Sequence, residues 1–348
     1  MRVVVTGASG NVGTALLRAL RQSARVTSIV GVARRPPPDS LGAEWLAADV
    51  AGDDLTEAFR GADAVVHLAW LIQPSHDQQL IHDVNVRGTR RMAESAARAG
   101  VPAFVHASSV GVYSPRTSAA PVDESYARDG VASSDYSRDK AQCEAFLDAF
   151  ELRHPEMRVV RMRPGLIFQR SAGSEISRYF LGPFVPAALL RPRALPVLPV
   201  PRGLAVQALH ADDVANAYLR AVLQPGARGA YNVAAAPVLD AQALAAAFGA
   251  RARPLSPRLV RALAALTWQL HLQPTAGGWL DLGMSAPIMS TDRIRQELGW
   301  SETRSSADAL RELVEGIRTR SGGGTPVMHR LPMLPARLMG RDRLHASG

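Results

Sequence analysis

Residues 2–13, RVVVTGASGNVG, join a β-branched run to three glycines, Gly7, Gly10 and Gly13, each separated by two residues. The run RVVVT has the composition of a short strand buried on both faces of a parallel sheet. Residues 14–22, TALLRALRQ, follow with leucines at helical spacing. Strand, glycine turn and helix start together make a cradle for phosphate. Glycine lets the backbone turn tightly and approach closely, and the free N–H groups and dipole at the helix N-terminus favour negative charge. A nucleotide pyrophosphate is the ligand this arrangement fits.

Outward from that unit, the chain alternates β-type and helical patterns up to about residue 168. Apolar runs stand at 26–33 (VTSIVGVA), 64–69 (AVVHLA), 103–107 (AFVHA) and 158–162 (RVVRM). Such alternation predicts an α/β fold with a doubly wound parallel sheet. Residues 182–203 contain six prolines and read as a long irregular segment, part of a substrate lid. Short strands are predicted at 205–210 and 229–234, and helices at 238–249, 256–270, 290–298 and 305–319. The last 28 residues, 321–348, read as a flexible tail, with docking of its Met, Leu and Arg residues on a partner or an acidic surface as the alternative.

Lys140 is the single lysine among 40 lysine and arginine residues, and it stands four positions after Tyr136 in YSRDK. A compact ammonium with three rotatable donors does what a planar guanidinium does not. On a helix the two side chains share a face, so the ammonium is expected to favour the ionised phenol. Work near neutral pH asks the phenol to fall from a pKa of about 10 toward about 7, roughly 4 kcal/mol. Tyr136 thus reads as a catalytic base.

The motifs GASGNVG at 7–13, HLAW at 67–70, NVRGT at 85–89, SSVGVY at 108–113 and YSRDK at 136–140 occur in one order. LHADDVANAY at 209–218 and STDRIRQELGW at 290–300 extend the pattern to about residue 320. The sequence resembles the extended short-chain dehydrogenase/reductase family, also called the NAD-dependent epimerase/dehydratase family. The resemblance implies a Rossmann domain over 1–168 with 205–236 returning to it, and a smaller substrate domain from 169–204 and 237–320. It makes Ser109, Tyr136 and Lys140 the catalytic set: Ser109 holds the substrate oxygen, Tyr136 moves its proton, and Lys140 also holds the nicotinamide ribose. Ser108 is left as a turn residue. Cofactor contacts fall on Gly7, Ser9, Gly10, Asn11, Val12, Gly13, Arg34, Asp49, Val50, Leu68, Ala69 and Asn85, beside Tyr136 and Lys140. Asp49 matches an acceptor for the adenine amino group and equally a helix N-cap. Asn85 matches an asparagine that braces the active-site backbone. Tyr113 reads either as pocket lining or as packing. A homodimer is the implied assembly, through a four-helix interface that includes the YSRDK helix.

Cofactor choice turns on GVARRPP at 31–37. Ala33 stands where NAD binding usually places an acid, and Arg34 and Arg35 follow, which favours NADP over NAD through bidentate arginine–phosphate pairing. The segment after Arg163, RPGLIFQRSAG, lacks the Tyr-Gly-Pro turn of sugar-nucleotide enzymes, and 176–200 is apolar. The expected reaction is hydride transfer between nicotinamide and a carbonyl or alcohol of a small, fairly apolar molecule. Sugar-nucleotide epimerisation or dehydration is the alternative, and a non-catalytic nicotinamide sensor a third reading.

The formal charge of +9 is spread over scattered arginines with only 5% aromatics, so nucleic-acid binding is not expected. His67, His210, Asp212 and Asp213 lack metal-ligand spacing, so no metal site is expected. No apolar run reaches membrane-spanning length, and the N-terminus enters the first strand without a signal-peptide pattern. The one cysteine, Cys143, forms no internal disulfide, and a reducing cytoplasm is the expected compartment.

Overall fold

The computed structural model describes residues 1–72, 77–181, 196–270 and 276–329. Its first half runs β1 (Arg2–Thr6), α1 (Asn11–Gln22), β2 (Ser28–Ala33), β3 (Glu44–Ala47), α2 (Thr56–Phe59), β4 (Ala64–His67), α3 (Gln78–His82), α4 (Gly88–Arg98), β5 (Ala103–Ala107) and α5 (Asp135–Arg153). Next come β6 (Arg158–Pro164), β7 (Leu166–Phe168), α6 (Gly173–Ile176), β8 (Val197–Pro201), β9 (Ala205–Val206), β10 (Ala208–His210), α7 (Ala211–Leu223) and β11 (Gly229–Val233). The chain continues through β12 (Leu239–Asp240), α8 (Ala241–Ala247), β13 (Arg251–Leu255), α9 (Pro257–Gln269), α10 (Gly277–Ser285), α11 (Asp292–Leu298) and α12 (Ser306–Arg318).

Seven strands form the main sheet in the order β11-β6-β5-β4-β1-β2-β3, and every pairing is parallel. The alternation of side chains along each strand feeds two cores. Val3 and Val5 of β1 pack with Leu16, Leu17 and Leu20 of α1 and with Val214 and Tyr218 of α7. Val4 points the other way, toward Phe59, Met92, Leu147 and Phe150 beneath α2, α4 and α5. Burial on both faces explains why these strands read as continuous apolar runs. Each fully buried leucine or phenylalanine contributes about 1.5–3 kcal/mol. Strand order reverses between β1 and β4, and that switch point opens a crevice at the strands' carboxyl ends.

The smaller part carries three two-stranded sheets, β10 with β7, β12 with β9 and β13 with β8, together with α8, α9, α10 and α12. Two expectations are corrected here. Residues 197–201, inside the proline-rich segment read as irregular, form β8: Pro199 and Pro201 are accommodated because β8 has β13 on one side only. Residues 182–195 of that segment lie outside the described residues. The start of the tail, 321–329, is packed: Thr325 and Met328 are each 1% exposed, and the Thr325 hydroxyl donates to the Ser9 carbonyl at 2.7 Å. Arg178 holds the Val327 carbonyl, and the Ser174 amide donates to that of Ser321. This strap therefore fastens the end of α12 to the glycine turn. Residues 330–348 lie outside the described residues. Helix α10, which the sequence reading did not predict, opens on Gly277-Gly278. A Cβ at Gly278 would lie 2.1 Å from the Ser133 carbonyl, so close packing on the start of α5 demands glycine there.

Candidate active site

The glycine turn meets the geometry its spacing predicts. Gly7 has φ +72°, and a Cβ there would stand 2.6 Å from the Ala69 amide; at Gly13 it would stand 2.4 Å from the Gly7 carbonyl. No side chain caps the N-terminus of α1 at Gly10, so its first-turn amides face the crevice region without a side-chain acceptor. That cradle fits a pyrophosphate. Around it, the Asn11 side chain donates to the Ile167 carbonyl and accepts from Gln169, while Val12 packs against the core. The Leu68 amide donates to the Thr6 carbonyl, which carries Ala69 to its place against Gly7.

Arg34 and Arg35 are exposed just beyond β2. Arg34 is near enough to Tyr179 for its charge to act on that phenol. Asp49 lies beyond the end of β3, where its carboxylate accepts from the Ala51 amide and its own amide donates to Asp53. That carboxylate is therefore engaged in closing a local turn. Val50 is buried against Gly88 at the start of α4. Asn85 braces the backbone at Leu71, accepting from its amide at 2.7 Å and donating to its carbonyl at 3.0 Å.

Ser109, Tyr136 and Lys140 come together at the carboxyl end of β5. Ser134 caps α5 by accepting from the Ser137 amide, and Asp135 complements the dipole in the first turn. Tyr136 and Lys140 thus occupy the first two turns of a 19-residue helix. Ser109 caps the short turn Val110–Val112 through the Gly111 amide at 3.0 Å, and its hydroxyl also bonds the Tyr136 phenol. Gly111 is needed at this position because a Cβ would lie 2.9 Å from Tyr136 Cε1.

The sign of the Tyr136 shift corrects the sequence expectation. In the protein alone, burial pushes the phenol up to about 12, with Ser109 giving partial relief. Lys140 does not aim at the phenol. Its Nζ donates to the Ala107 carbonyl at 2.6 Å, stands 3.2 Å over the centre of the Trp70 ring, and is 5.8 Å from the Tyr136 ring centre. Burial lowers the Lys140 ammonium to about 7. Tyr136 itself is enclosed by aromatics, with Trp70 edge-on at 5.9 Å and Trp279 of α10 at 4.8 Å. The adjoining cavity is lined by Leu71, Ile72, Ile81, Trp268 and Trp279 and equally by polar residues, among them Gln78, Asn85, Ser133, Ser134 and Asp135, with Tyr136 on its wall.

A buried polar network under the site escaped the sequence reading. Glu144, one further turn along the face of Tyr136 and Lys140, accepts from Arg163 Nε at 2.8 Å and from Ser108 Oγ at 2.5 Å. Burial opposes its charge, yet Arg163 and Ser108 hold the carboxyl below its ordinary value. Ser108 is therefore a partner of Glu144 as well as a turn residue. Arg163 also donates to the Tyr113 hydroxyl, which donates to Asn232 at 2.6 Å; Tyr113 is fully buried, a packing residue. The signal was available as a third residue at i+8 on the catalytic face.

The remaining histidine and acid candidates are structural. His67 sits between Thr6 and Thr89, and burial lowers it to about 3. His210 caps α7 at the Asp212 amide, and Asp213 accepts from Thr303 and Arg304. Among the described residues, no group of three His, Cys, Asp or Glu is placed to hold a metal ion.

A model of the NAD dependent epimerase/dehydratase family matches residues 3–234. The chain belongs to that family. Its Ser109, Tyr136 and Lys140 occupy the motifs through which the resemblance to the family was drawn. An uncharacterised protein of Mycobacterium tuberculosis is 28% identical over 330 residues, covering 93% of this chain and 31% of its own length. The chain thus spans about a third of the length of that relative. L-arabinose 1-dehydrogenase (NAD(P)(+)) of Haloferax volcanii is 38% identical over 113 residues, covering 32% of this chain and 42% of the dehydrogenase. A solved short-chain dehydrogenase/reductase superfamily protein from Agrobacterium tumefaciens, with bound NAD, shares the fold at TM-score 0.69 and 24% identity. It covers 92% of this chain and 98% of its own. No helix among the described residues is long and apolar enough to cross a membrane.

Proposed function

We propose that this family member is an NAD(P)-dependent oxidoreductase that moves a hydride between nicotinamide and a carbonyl or alcohol of a small apolar molecule. The observation that carries the reading is the convergence of Ser109 and Tyr136 at the end of β5, walled by Trp279 and a cavity that mixes apolar and polar side chains. The glycine turn would hold the pyrophosphate, and Lys140, fixed by Ala107 and Trp70, would hold the ribose beside it. Bound nicotinamide supplies or accepts the hydride.

The residues of the chain supply the proton chemistry. Ser109 Oγ donates to the substrate oxygen and orients it toward Tyr136. A phenol raised to about 12 is protonated at neutral pH, so Tyr136 is set to donate to a carbonyl oxygen. In reverse, the phenolate would take the proton of a substrate hydroxyl. Trp70 and Trp279 keep water from the phenol and confine the substrate oxygen to the Ser109 side.

NADP is the proposed cofactor, because Arg34 and Arg35 stand exposed past β2 and no acid follows Ala33. Epimerisation or dehydration with retained NAD uses the same three residues, and the family description allows it. The missing Tyr-Gly-Pro turn after Arg163 favours the oxidoreductase. A screen of aromatic and aliphatic carbonyl compounds with NADPH tests the proposal. Tyr136→Phe is expected to lower kcat by about 10²–10⁴-fold while leaving nucleotide affinity in place. Full turnover by that variant refutes the assignment. Arg34→Ala is expected to lower the preference for NADPH over NADH about tenfold, and an unchanged ratio refutes the NADP reading.

A further inference from the structure

Helix α9 carries an apolar stripe on its outward face. Leu259, Leu263, Leu266 and Leu270 recur at helical spacing and are 51%, 50%, 52% and 58% exposed, and no α9 residue is buried. Four half-bare leucines within one narrow stripe form a contiguous apolar patch. The stripe runs along a helix about 20 Å long. Trp268, half a turn around from the stripe, lines the cavity beside Tyr136. One side of α9 therefore serves the site, and the leucines of the other are half-exposed.

The charges around the stripe indicate what covers it. Arg251 and Arg253 stand exposed on β13, which leads directly into α9, and Arg258 stands exposed in its first turn. Among the described residues, none of these three has an acidic partner. Arg261 is spent on Asp281 of α10, at 2.8 Å. An apolar stripe that begins beside Arg258 and follows a strand carrying Arg251 and Arg253, on a chain of formal charge +9, matches an anionic bilayer surface: leucines enter the acyl boundary and arginines meet phosphate headgroups. A second copy of this chain would bring like charges together at the same place.

We infer that α9 docks this protein onto anionic phospholipid membranes, lying in the interface without spanning it. The inference stands independently of the proposed reaction, because neither the stripe nor the arginines touch the Ser109–Tyr136–Lys140 site.

Co-sedimentation of the full chain with vesicles tests it, using equal parts phosphatidylglycerol and phosphatidylcholine against phosphatidylcholine alone. The expected result is binding to the anionic vesicles, weakened by salt. Partitioning should fall about 100-fold in the triple variant Leu259→Ser, Leu263→Ser, Leu266→Ser. It should fall about 30-fold in Arg253→Gln, Arg258→Gln, at about 1 kcal/mol per arginine. Both variants should keep the melting temperature and NADPH affinity of the parent, since all five side chains are exposed. Absence of sedimentation with anionic vesicles overturns the inference, as does equal sedimentation of the triple variant. A solution mass that halves in the triple variant without lipid overturns it in favour of self-association.

Discussion

Replacing Arg163 with methionine removes the cation that neutralises Glu144. Both groups are buried, Glu144 at 0% and Arg163 at 2% exposed, so the carboxylate would keep Ser108, the more distant Arg128 at 3.8 Å and the through-space charge of Arg161. Stripping one partner from a buried pair costs about 3–5 kcal/mol. Replacing both residues, as Arg163→Met with Glu144→Leu, removes the orphaned charge and should cost well below the sum of the single changes. The expected coupling is about 2–3 kcal/mol. The pH dependence has a definite sign. Glu144 is held below its ordinary value of 4.5, so its contribution is present above pH 4.5 and lost as pH falls through the native value. In Arg163→Met the bare carboxyl is raised by burial instead, so its penalty is greatest near pH 8 and shrinks as acid protonates it. Urea denaturation of the parent, both single variants and the double variant, at pH 5.5 and pH 8, measures every term. Additive costs within about 0.5 kcal/mol, or a penalty for Arg163→Met independent of pH, would refute the reasoning.

Other outcomes follow from the same geometry. Gly13→Ala places a methyl 2.4 Å from the Gly7 carbonyl and is expected to abolish nucleotide binding, read by isothermal titration; retained affinity would deny the close approach. Met328→Ala should cost about 2–4 kcal/mol and lower the melting temperature, because this side chain of the strap is 1% exposed and sits against Thr14 of α1; an unchanged transition would show that the strap is not packed. In the nucleotide-free protein, ultraviolet titration should find one tyrosine lost on Tyr136→Phe that ionises only toward pH 12; ionisation of that group near pH 8 would contradict the burial effect.

The main sheet was legible because its strands are buried on both faces and so carry unbroken β-branched runs such as RVVVT and AFVHA. The glycine turn was legible because only glycine tolerates the approach of Ala69 to Gly7 and of Gly7 to Gly13. The pairing of Tyr136 with Lys140 was legible from helical spacing, whereas that of Tyr136 with Ser109 was implied by the family resemblance. The shift of Tyr136 was not legible: spacing puts Lys140 on the same face, but burial and the Trp70 ring decide where its ammonium goes. The strap at 321–329 escaped for a related reason. Its glycines and threonine look like a tail, and only the distant Ser9 carbonyl and the surface of α1 give Thr325 and Met328 something to bury against. Helix α10 was hidden because it opens on two glycines, of which Gly278 serves packing on Ser133 rather than helix propensity.

The central claim is that the glycine turn and the Ser109–Tyr136–Lys140 cluster form one nicotinamide site. Titrating the purified chain with NADPH and NADH, while following energy transfer from Trp70 and Trp279 to the reduced nicotinamide, tests it most directly. One equivalent of NADPH per chain, bound more tightly than NADH and quenching both indoles, is the predicted result. Absence of saturable binding by either nucleotide would contradict it.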